Sequence, residues 1–74
     1  MKTYTTNATH AQEMKNAGSL HTKLKDANAE LKEKKNQVLY PEMYCVAKVV
    51  YTDCFGNKKS GGYCVSHIHD DHLN

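Results

Sequence analysis

The sequence predicts an α+β domain: an N-terminal amphipathic helix followed by a C-terminal antiparallel β-hairpin. Three observations carry that expectation. Residues 8–37 hold no proline, a single glycine and many strong helix formers. From Met43 the composition turns to Tyr, Val, Cys and Thr, residues that suit a pleated, half-buried surface. Phe55-Gly56-Asn57-Lys58 then supplies a turn with Gly-Asn at its centre.

The helix can be placed in more detail. Thr9 with Gln12 fits a capping box, and Asn7 is a rival cap. Ala17, Leu20, Leu24, Ala27 and Leu31 recur at helical spacing and lie within a stripe of roughly 80°. So narrow a seam resembles the edge of a coiled coil, which marks Leu20, Leu24, Ala27 and Leu31 for self-association. Gly18-Ser19 is a natural interruption, a left-handed glycine followed by a new cap, so the segment reads as one helix or as two. Tyr40-Pro41 closes it, because proline disfavours helix in the residue before it.

The hairpin strands are expected at 43–54 and 59–69. A turn centred on Gly56-Asn57 would pair Val49 with Cys64, Cys45 with Ile68 and Val50 with Tyr63. One face then carries Cys45, Ala47, Val49, Tyr51, Cys64 and Ile68; the other carries Tyr44, Val46, Val50, Tyr63, Val65 and His67. In that register Cys45 and Cys64 are four rungs apart, about 13 Å, too far for a disulfide. The three cysteines are expected as free thiols in a reducing cytoplasm.

The 74 residues make one small domain, 1–74, whose lone core is marginal. Metal or self-association is the expected support, and a homodimer is preferred. No apolar run suggests a signal peptide or a membrane span. The ten basic residues are all lysine and the net charge is only +2, which argues against specific base reading. Lysines 32, 34, 35, 58 and 59 keep phosphate contacts open as an alternative function. Lys- and Asn-rich usage without arginine also fits a phage- or mobile-element-type inhibitor or accessory factor, a prior drawn from association.

The chain's last segment looks like chemistry. His67-Ile68-His69-Asp70-Asp71-His72 matches HxHxDH, and Tyr63-Cys64-Val65-Ser66 leads into it. These ten residues resemble the metal-binding strand of the metallo-β-lactamase-like hydrolases. The resemblance implies His67 and His69 as ligands of one zinc, with Asp71 and His72 serving a second. That family takes further ligands from chain beyond the motif, whereas Leu73 and Asn74 alone follow it here. A catalytic zinc needs three protein ligands, an open water position and groups that orient each imidazole. The expectation is therefore no enzyme, with a zinc-stabilised dimer through His67, His69, Asp71 and His72 as an alternative. The leading expectation is a protein-binding module whose contact residues are Tyr44, Phe55, Lys58 and Tyr63, since aromatics are favoured at interfaces.

Overall fold

A computed structural model describes residues 1–73. It is an α+β fold with two helices and a three-stranded mixed sheet. The elements are β1 (Lys2–Asn7), α1 (Ala8–Asn16), α2 (Leu24–Lys35), a single 3₁₀ turn (Pro41–Met43), β2 (Tyr44–Thr52) and β3 (Lys58–His67). The sheet order is β1-β2-β3, with β1 parallel to β2 and β2 antiparallel to β3.

The helical segment divides at Gly18, whose φ of 77° fits the left-handed conformation that glycine adopts at a helix end. Asn7, rather than Thr9, caps α1: its Oδ1 accepts the His10 N–H at 2.8 Å. The first residues form a strand that the composition did not suggest. Lys2–Asn7 is threonine-rich and short, and it gains its order by lying beside Ala47–Thr52. The sheet is thus more than a simple hairpin.

The hairpin register differs from the expected one by two residues. Val49 faces Gly62, Ala47 faces Cys64 and Lys48 faces Tyr63. The physical cause is the loop. Thr52 already pairs with Lys58, leaving five loop residues, and a bulge at Gly61 returns one position. From Tyr44 to Val49 the slip is two, which preserves each side chain's face, so Ala47, Val49 and Cys64 share one buried face as expected. Tyr4 joins them in the core, with Met14, Leu20 and Leu73 packed against the cluster.

The same slip corrects the cysteine geometry. Cys45 faces Ser66 while Cys64 faces Ala47, so the two thiols are diagonal neighbours instead of four rungs apart. All three cysteines are free. Burial, with Glu30 and Asp70 adding to it, pushes the Cys64 thiol up to about 12. A thiol held neutral in this way is a poor nucleophile, and it serves here as a small apolar core residue.

The helices take opposite faces of the sheet. Met14 of α1 covers the Val49 side. The chain then runs past the outer edge of β3, where His21 pairs with Tyr63 through two backbone hydrogen bonds of 2.8 and 2.7 Å. His21, opposite Tyr63, points its ring to the other face and meets Glu30 of α2 at 2.8 Å. Lys34, one turn on, places its ammonium 4.8 Å from the centre of the Tyr44 ring, also on that face. The sheet is therefore a middle layer. Crossing the edge demands close approach: a Cβ on Gly62, whose φ is 99°, would collide with the His21 carbonyl.

Candidate protein-binding site

The contact residues expected from sequence fall at two ends of the hairpin. Tyr44 and Tyr63 are half-buried and already engaged within the chain. Tyr44 takes Lys34 on its face and stands edge-on to His67 at 5.3 Å; Tyr63 binds His21 through its backbone. Phe55 and Lys58 are exposed at the tip. Tyr44 and the tip are separated by the length of β2, about 26 Å at strand rise, so the four do not form one patch.

The tip is built by a single carboxylate. Asp53 Oδ1 accepts the N–H groups of Phe55 and Asn57, each at 2.9 Å, and Oδ2 lies 3.6 Å from Lys59 Nζ. The Asn57 N–H above all, then that of Phe55 and the Lys59 charge, holds the Asp53 carboxyl below the usual carboxylate range. The Asp53 N–H donates to the Asn57 carbonyl at 2.9 Å, and Gly56, at φ 82°, supplies the left-handed position. This frame holds Phe55 with 85% of its surface exposed. A large aromatic on a closed loop loses little conformational freedom on binding.

At the opposite end lies an apolar groove of about 310 Å³, lined by Val38, Leu39, Tyr40, Met43, Tyr44 and His67. Leu39 and Tyr40 also protrude, 83% and 61% exposed. Sequence reasoning assigned this linker no role. The adjacent Leu39-Tyr40 pair, apolar and directly before a proline that ends the helix, was the available signal. A second cleft of about 310 Å³ lies between α1 and the Gly61 bulge, with Lys15 as its one charged wall.

The expected self-association seam is mostly spent inside the protomer. Ala27 is fully buried and Leu20 packs on the core, while Leu31 is half-buried and Leu24 remains 37% exposed.

The HxHxDH residues separate. His67 ends β3; the His69 ring centre lies 5.4 Å from that of His67, and the His69 backbone N–H donates to His67 Nδ1 at 3.1 Å. Asp71 is exposed. Asp70 turns the chain by accepting the His72 N–H, and His72 crosses to β1, where it stacks on Tyr4 at 4.9 Å and on His10 at 5.1 Å. Its Nδ1 donates to the Thr5 carbonyl at 3.0 Å. The first-zinc and second-zinc pairs therefore sit in different neighbourhoods. Among the described residues no group of three or more His, Cys, Asp or Glu side chains is placed to hold a metal ion.

The lysines separate likewise. Lys32, Lys34 and Lys35 close α2 at the Tyr44 end, whereas Lys58 and Lys59 stand at the tip. At the tip they line an edge strand, where lysine discourages unwanted strand pairing. Among the described residues no helix is long and apolar enough to cross a membrane. Comparison with protein families, with curated proteins and with solved structures returns no match.

Proposed function

We propose that this chain is a small, non-enzymatic protein-binding module that inserts Phe55 into an apolar pocket of a larger protein, acting as an inhibitor or accessory factor. The observation that carries the reading is the 85% exposure of Phe55 on a loop that Asp53 closes. An isolated exposed apolar residue is ordinary on a protein surface. One presented by a dedicated hydrogen-bond frame is an anchor, because the cost of ordering it is met before the partner arrives. Lys58 adds a cation beside it that has no ion-pair partner among the described residues, whereas Lys59 is paired with Asp53, so the complementary pocket carries an acidic rim.

The test is capture by the immobilised chain from a cell lysate, compared between the natural sequence and Phe55→Ala. The variant keeps its circular dichroism spectrum and melting temperature, since Phe55 contributes little to the core. It loses the captured protein, with affinity falling by about 30-fold or more, as for a central anchor. Retention of the same partner at unchanged affinity by Phe55→Ala ends this reading.

A further inference from the structure

We propose that the cleft between α1 and the Gly61 bulge binds a free small molecule, an arylalkanoate with an apolar ring at one end and a carboxylate at the other. The cleft's volume, about 310 Å³, lies within the range of small-molecule sites. It exists because the side chains around it are short or missing. Ala8, Ala11, Gln12 and Lys15 recur at helical spacing and form one face of α1, and the two alanines leave that wall low. Across from them Gly61 carries no side chain, and none fits. A Cβ there would lie 3.0 Å from Val49 Cγ1 and 3.2 Å from Tyr51 Cδ1. The Tyr51 ring is thus packed against the Gly61 backbone, a fixed aromatic surface on which a second ring can stack.

The polar groups of the cleft call for an anion. Lys15 is the one charged residue lining it, and among the described residues it has no ion-pair partner. Thr22 and Ser60 bring hydroxyls that can donate, and no carboxylate lines the cleft among the described residues. A carboxylate there meets a cation and donors without meeting a like charge. The spacing sets the length of the ligand. Tyr51 pairs with Thr6, two residues before Ala8, so the aromatic end lies at the start of α1. Lys15 follows Ala8 by seven residues, about 10 Å along the helix axis. A ring joined to a carboxylate by a short alkyl chain covers most of that distance, and the flexible lysine closes the rest.

Titration of the full chain with 4-phenylbutyrate and with its neutral amide, followed through the backbone amide NMR shifts, tests the site. The acid is expected to saturate shifts on both walls, at Ala11, Lys15 and Gly61, and to bind about 10-fold more tightly than the amide. Lys15→Gln lowers the acid to the affinity of the amide and leaves the amide unchanged. Ala8→Leu places a good helix former at a half-buried position. It keeps the circular dichroism spectrum of the parent, fills the cleft and removes binding of both compounds. Phe55→Ala leaves binding unchanged, which separates this site from the protein-binding tip. No saturable shift up to about 10 mM of the acid overturns the proposal. So do equal affinities for acid and amide, an unchanged affinity for the acid in Lys15→Gln, or saturable shifts centred on the Tyr44 groove or the Phe55 loop.

Discussion

The tip of the β2–β3 hairpin and the sheet behind it are ordered by different means. At the tip, Asp53 gathers the N–H groups of Phe55 and Asn57 and the Lys59 ammonium, so every partner named lies within six residues. In the sheet the partners are distant. Tyr4 packs with Ala47, Val49 and Cys64, and His72 reaches back to the Thr5 carbonyl, 67 residues away in sequence. Edge protection follows the same division. The outer edge of β1 is covered where Tyr4 bridges Leu73 and the Thr5 N–H donates to His72 at 2.9 Å; the outer edge of β3 is covered by His21. The tip can therefore be altered without unfolding the protein, while the sheet fails as a unit when any of its distant segments is lost.

Substitutions in the two regions should differ in kind. Tyr4→Ala has the largest expected effect, a loss of about 4 kcal/mol in a denaturant titration, because it empties a buried aromatic site. It removes the ring against which His72 stacks. A loss below about 1 kcal/mol would show that β1 is not integral to the core. Gly62→Ala comes next, at about 3 kcal/mol, since it combines a left-handed backbone with a collision against the His21 carbonyl. Native-state hydrogen exchange should show the His21 and Tyr63 amides losing protection together; if they do not, the edge crossing is not the element strained.

The tip should respond to pH and leave the sheet undisturbed. The Asp53 carboxyl titrates below the ordinary carboxylate value. Its contribution is therefore complete above the unfolded value near pH 4 and declines as the pH falls through the lower folded value. In NMR spectra the Phe55 and Asn57 amide shifts should move in that acid window, ahead of those from Ala47 and Val49. Asp53→Asn should abolish the movement. Simultaneous movement of tip and core amides would mean that the loop has no independent order.

How much was legible in advance follows this division. The buried face of Ala47, Val49 and Cys64 was readable because strand alternation survives a register slip of two. The register itself was not, because the Gly-Asn signal suggested a two-residue turn while the Asp53 carboxylate closed a longer one. Of the candidate contact residues, Phe55 and Lys58 stand exposed at the tip. Tyr44 and Tyr63 were not free, since Lys34, His67 and His21 engage them, and none of these contacts has a local signature. The HxHxDH pattern misled for the same reason: spacing places histidines along a chain, but the turn at Asp70 sends His72 to a different neighbourhood from His67.

By itself the sequence determined the α+β class, the helical segment with one helix or two left open at Gly18, the two hairpin strands and the aromatic at the turn. Each of these rests on backbone preference or side-chain period, which act over a few residues. Tertiary structure alone decided that Lys2–Asn7 would be a strand, that the helices would take opposite faces, and that Leu39 and Tyr40 would stand exposed beside a groove. Those outcomes depend on which distant surfaces meet, and the free energy of that meeting is shared among segments that carry no mark of one another.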